Sequence, residues 1–157
     1  VNFRLTKKPV ANISYAPVRE AMSRRNTETI QAVREEIINI RNSKLPDPKV
    51  QGNAGSFFKN PEVPAEVFER LRAEYPGIPS FPLANGEVKI PAAWLIDQCG
   101  WKGKALGKAA VHHIQPLVLV NNGGATAGEI IVLAKTIIGD VKKRFGVELC
   151  MEVNLVR

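Results

Sequence analysis

The run from Gly52 to Asn60, G-N-A-G-S-F-F-K-N, gathers more reactive side chains than its neighbours. Gly52 and Gly55 remove side-chain bulk and allow positive φ, so another molecule can approach the backbone closely. Ser56 stands beside that approach. Lys59 and Asn60 add a cation and an amide, partners suited to a phosphate or a sugar. The same residues also suit a tight glycine turn closed by a serine hydroxyl. Glu152 lies on an amphipathic run and is either a reactive carboxyl or a solvated one. Gln115 precedes Pro116 at a strand bend. Lys44 ends a helix, where a cation is favoured by the dipole. Tyr15 fits a core position. His112 and His113 are adjacent, so on a strand they point to opposite faces; that predicts one packed and one solvated imidazole and no shared metal.

The elements that must hold these residues follow from periodicity. Val1, Phe3 and Leu5 alternate, which predicts a short half-buried strand within residues 1–14. Ile30, Val33, Ile37 and Ile40 predict a helix over 27–42 with one apolar stripe. Asn26 or Thr27 would cap it and Glu28 would face its positive end, with Arg34, Glu35 and Arg41 on the solvated side. Leu45-Pro46-Asp47-Pro48 stops it. A helix from Pro64 to Tyr75 carries Val67, Phe68, Leu71 and Tyr75. Asn85-Gly86 marks a hairpin, and 91–99 a short helix with Trp94, Leu95 and Cys99. W-K-G-K-A-L-G-K reads as a glycine-punctuated loop, and 109–114 and 116–121 as strands broken at Gln115-Pro116. The longest helix spans Ala127–Phe145, capped by Thr126 and ended by Gly146. Val147, Leu149, Met151, Val153 and Leu155 alternate with Glu148, Cys150, Glu152 and Asn154, which predicts a final strand.

Strands and helices do not alternate strictly along this order. The expected fold class is therefore α+β, a small antiparallel sheet packed with about four helices. Apolar residues at 45% and charged residues at 24% are ordinary for a globular chain and argue against long-range disorder. No apolar run approaches the ~18–20 residues of a membrane span. The N-terminus V-N-F-R-L-T-K-K lacks the apolar core of a secretory signal. Two distant cysteines, Cys99 and Cys150, fit a reducing cytoplasmic compartment. The formal charge of +7 is uneven: residues 1–60 hold 11 basic and 5 acidic side chains, so an attracted anion should meet that part first. Phosphate-loop, dinucleotide-turn and nucleophile-elbow patterns are absent.

Four runs together carry a resemblance. K-L-P-D-P-K-V-Q-G-N-A-G-S-F-F-K-N-P (44–61), K-I-P-A-A-W-L-I-D-Q-C-G-W-K-G (89–103), A-A-V-H-H-I-Q-P-L-V-L-V-N (109–121) and M-E-V (151–153) occur in order. The chain thereby resembles the C-terminal part of the UDP-N-acetylenolpyruvoylglucosamine reductases, in the form with a tyrosine-loop insertion. The resemblance implies an enzyme in which NADPH reduces bound FAD and the reduced flavin delivers hydride to an enolpyruvyl ether, giving UDP-N-acetylmuramate for peptidoglycan. It implies that Ser56 donates the proton to the adjacent carbon, and that Glu152 supports the enol-like intermediate. Tyr15, Lys44, Asn60 and Gln115 would hold the nucleotide-sugar. Asn154 stands where the family continues with arginine.

The resemblance further implies strands of residues 1–14 left from an upstream FAD-binding domain, and a substrate-binding domain over 15–157. Within the latter, 15–43 would be the tyrosine loop and helix, and 44–61 the serine loop. On that reading the FAD site lies outside this fragment, and the fragment alone is inactive. The expected partner is a small nucleotide-sugar, with the protein a monomer and with no nucleic acid, membrane or metal. A non-catalytic nucleotide-sugar binding module is the alternative. A basic nucleic-acid-binding domain rests on the charge alone, since no matching motif interleaves aromatics with the basic residues.

Overall fold

A computed structural model describes residues 1–25, 27 and 29–156. The chain divides into two compact units, Val1–Lys44 and Leu45–Arg157.

In the first unit, α1 spans Ala16–Ser23 and α2 spans Ile30–Lys44. Helix α1 was not legible as a helix in the sequence, although Pro17 sits in its first turn, where a missing N–H is harmless. Its buried residues Val18 and Met22, one turn apart, meet Ala32 and Val33 of α2. Ile40 packs beside them, but Ile30 and Ile37 are exposed, so only part of the expected stripe is covered. Thr29 rather than Thr27 caps α2, its hydroxyl accepting the Ala32 N–H at 3.1 Å; Asn26 and Glu28 lie outside the described residues. Arg34, Glu35 and Arg41 are solvated as expected.

Residues 1–14 form no ladder in this structure, and Val1, Phe3 and Leu5 are exposed. An alternating run makes a strand only when another strand takes its backbone groups, and none does so among the described residues.

The second unit runs β1 (Asn53–Ser56), β2 (Glu62–Pro64), α3 (Ala65–Glu74), β3 (Phe81–Pro82), β4 (Glu87–Lys89), α4 (Ala92–Gln98), β5 (Ala105–Leu106), β6 (Ala109–Val111), β7 (Val118–Asn121) and α5 (Ala127–Phe145). The fold is α+β, as expected, with two small antiparallel sheets in place of one. Their orders are β1-β7-β6-β5 and β2-β4-β3. The stretch read as a glycine loop holds β5, because Gly107 turns the chain back onto β6.

Helix α5 is defined locally at both ends. Thr126 accepts the Glu129 N–H while the Glu129 carboxylate accepts the Thr126 N–H, a reciprocal capping box. Gly146 closes it at φ 69°, a conformation that favours glycine. Leu133, Ile137 and Val141 on its inner face are fully buried beside Leu95, Ile96 and Leu119. Burying each such side chain contributes about 1.5–3 kcal/mol, so this packing anchors the sheet that carries the site. Beyond Gly146, Val147 and Leu149 are buried and Glu148 and Cys150 exposed, as the alternation predicts. Yet the segment makes only a single bridge, Met151 to Phe58, rather than a strand.

Candidate active site

The site is built on a strap, Ser56 to Pro61, stitched on both sides. On one side β1 pairs with β7, Asn53 opposite Val120 and Ser56 opposite Val118, with a register shift between. The extra residue is accommodated at Gly55, φ 73°, whose N–H donates to Asn53 Oδ1 at 3.0 Å. The strap continues with the Phe57 N–H donating to the Leu117 carbonyl at 2.8 Å. On the other side the Lys59 N–H donates to the Cys150 carbonyl and the Glu152 N–H to the Phe57 carbonyl, both at 2.9 Å. Phe57 and Phe58 are buried with ring centroids 5.4 Å apart, pinning the strap to the core.

These pairings bring four expected residues into one neighbourhood. Ser56 is exposed, and its hydroxyl lies 3.5 Å from the Phe58 carbonyl, beyond the roughly 2.5–3.0 Å of a normal hydroxyl bond. Its oxygen is therefore available to another molecule. Glu152 is exposed on the segment paired with the strap. Asn60 follows Lys59 at the strap's end, where its Oδ1 accepts the buried Ala92 N–H at 2.9 Å. Its amide NH₂ makes no hydrogen bond among the described residues, and Asn60 is exposed. Gln115 lies in the β6–β7 turn, and its carbonyl accepts the N–H of Val118, the residue opposite Ser56. With Lys59 beside them, these residues offer a hydroxyl, an ammonium, two amides and a carboxylate. Those are the groups needed to hold an anionic, hydroxyl-rich molecule and to pass a proton beside developing negative charge.

Tyr15 and Lys44 belong to the first unit. Tyr15 precedes α1, its carbonyl accepting the Arg19 N–H, and it is 59% exposed, so it does not take the core position expected of it. Lys44 is the exposed last residue of α2, at the negative end of that helix as expected. Part of the basic excess in residues 1–60 is neutralised locally. Arg25 meets Glu35 at 2.9 Å and Glu36 at 2.6 Å, and Arg24 meets Glu20 at 3.0 Å.

The histidine pair divides as expected. His112 is buried and His113 exposed. Burial, and the neighbouring His113, hold the His112 imidazole below its ordinary value. Cys99 and Cys150 are both free thiols, and burial pushes Cys99 up. An apolar hollow of about 350 Å³ lies beside the strap, lined by Ala54, Phe57, Leu119, Ile130, Ile131 and Val153 among others. Two further hollows adjoin the glycine turn after β7 and the start of α5. Ser56 and Glu152 line none of these three.

Fold and strap together define an α+β domain that presents a polar loop against an acidic C-terminal segment. A family model described as "UDP-N-acetylenolpyruvoylglucosamine reductase, C-terminal domain" matches residues 47–156. The UDP-N-acetylenolpyruvoylglucosamine reductase of Bacteroides fragilis is 50% identical over 99% of this chain and 47% of its own length. That of Pseudomonas putida is 53% identical over 99% of this chain and 46% of its own. A crystal structure of the Thermus caldophilus enzyme overlaps 79% of this chain and 34% of its own, at 25% identity and a TM-score of 0.46. The chain belongs to the UDP-N-acetylenolpyruvoylglucosamine reductase family, within its C-terminal domain. It spans about half the length of the curated relatives it matches. Among the described residues no helix is long and apolar enough to cross a membrane.

Proposed function

We propose that this chain is the substrate-binding and proton-donating part of an NADPH- and FAD-dependent reductase that converts UDP-N-acetylglucosamine enolpyruvate to UDP-N-acetylmuramate for peptidoglycan. The observation that carries the reading is the stitching of the Ser56–Asn60 strap to Cys150–Glu152 and to β7, in a chain of this family. That pairing sets an exposed serine and an exposed glutamate on neighbouring stretches of chain. Ser56 gives its proton to the carbon that carries developing negative charge, and Glu152 supports the enol-like intermediate beside it. Asn60, Gln115, Lys44 and Tyr15 hold the diphosphate and sugar. The reading has the protein act on this small substrate as a cytosolic monomer, with no nucleic-acid or membrane partner.

The three hollows named above do not fit a flavin dinucleotide. They have no lysine or arginine in their linings to meet its diphosphate. The one long helix start beside them is already filled by the Glu129 carboxylate. The reading therefore assigns this chain no part in holding FAD and routes no step through it.

The test uses the full-length enzyme and separates its two half-reactions. Ser56→Ala should leave flavin reduction by NADPH intact and slow reoxidation by substrate at least 100-fold, the scale of a lost proton donor. Unchanged reoxidation would rule Ser56 out as the donor.

A further inference from the structure

Among the described residues His112 is the buried polar one, 5% exposed, and the proposed reaction gives it no task. It opens the turn that carries Gln115. Three hydrogen bonds close that turn. The His112 N–H donates to the Val118 carbonyl at 2.9 Å and the Val118 N–H to the Gln115 carbonyl at 3.0 Å. The third uses the imidazole: the Gln115 N–H donates to His112 Nδ1 at 3.2 Å. Both backbone groups of Gln115 are thus tied within the turn. Buried Pro116 follows and disfavours a helical conformation at Gln115. The Gln115 side chain itself is half-buried and makes no hydrogen bond among the described residues.

We propose that His112 is a positioning residue, its Nδ1 fixing the Gln115 backbone so that the Gln115 amide is aimed at the nucleotide-sugar. This rests on the reading of Gln115 as a substrate ligand. The chemistry requires a neutral ring with the proton on Nε2, because only an unprotonated Nδ1 accepts an N–H. Burial keeps the ring neutral. A hydrophobic residue of equal size would fill the same volume, so packing alone does not call for an imidazole here.

The test is made on the full-length enzyme with three variants. Gln115→Ala examines the underlying reading: KM for the nucleotide-sugar should rise about tenfold or more, the worth of one lost polar contact. No rise sinks that reading and the proposal with it. Given that rise, His112→Phe keeps the volume and removes the acceptor. It should raise the same KM about tenfold and leave flavin reduction by NADPH unaltered. His112→Asn, whose Oδ1 lies near the position of Nδ1, should recover most of the loss. An unchanged KM in His112→Phe, with Gln115→Ala impaired, overturns the proposal and leaves the role of Gln115 standing. Should His112→Phe fail to fold, ¹⁵N shifts of the His112 ring in the unaltered enzyme decide. Nε2–H with Nδ1 bare, and a shift on adding the nucleotide-sugar, supports the proposal; a protonated Nδ1, or no response, overturns it.

Discussion

Asn60 Oδ1 accepts the N–H of Ala92 at 2.9 Å, across 32 positions of sequence. Ala92 is fully buried at the first turn of α4, where the helix offers its own N–H no partner. One residue expected to bind substrate is therefore also a structural cap, and the two roles use different atoms. Asn60→Ala should lower stability by about 1–2 kcal/mol, the cost of a buried donor left without an acceptor. Asn60→Asp keeps the acceptor and should regain most of that, while still impairing substrate affinity through loss of the NH₂. Urea denaturation beside KM measurements checks both halves.

Gly55 holds φ 73° with open space where a Cβ would lie. The penalty for Gly55→Ala is therefore in the backbone and not in a clash. About 1–2 kcal/mol of destabilisation is expected. Relaxing the bulge should also move Ser56 relative to β7. Reoxidation of the reduced full-length enzyme should slow more than the stability loss explains, read by stopped-flow at a temperature where both proteins are folded.

The Glu129 carboxyl is held below the usual carboxylate range by hydrogen bonds from the backbone N–H and hydroxyl of Thr126. Its folded value lies below its unfolded one, so its contribution is fully present above the unfolded value of about 4.3 and is lost as pH falls through the folded value. Thr126→Ala should cost about 1 kcal/mol at neutral pH, in line with the loss of an N-cap hydroxyl. It should also move the Glu129 titration upward, an effect followed by NMR of the side-chain carboxyl.

His112 acts in the same sense, over a higher pH range. Its folded value is lowered by burial, so the unfolded chain takes up a proton first. Below the ordinary imidazole value of about 6.5 the unfolded state binds more protons, and stability falls with pH until the folded ring also titrates. Denaturation midpoints at pH 7.5 and 5.5 should differ in the native protein. The difference should shrink in His112→Phe, whatever its absolute stability.

Local chemistry was readable. Helix α5 begins and ends at the residues expected, because Thr126, Glu129 and Gly146 act within a few positions of themselves. The burial of Val147 and Leu149 followed from alternation alone. Pairing was not readable in the same way. Residues 147–155 have a strand's pattern, but the strap offers them only Phe57 to Lys59 before Pro61, so one bridge forms. Val1, Phe3 and Leu5 have the pattern and find no partner at all among the described residues. Helix α1 was missed because eight residues give too little periodicity, and Val18 and Met22 take meaning only from Ala32 and Val33 of α2.

By itself the sequence determined the α+β class, the long helix and the roster of reactive residues, through side-chain types and short-range spacing. The tertiary structure decided which of them meet. Ser56 and Glu152 are 96 positions apart, and no local rule sets them on neighbouring segments; the Phe58–Met151 bridge and the core that buries Phe58 do. Likewise only the fold showed that Asn60 caps α4 and that His112 holds the Gln115 backbone. A hydrogen bond depends on distance in space, and sequence spacing reports that distance only within a turn or a helix.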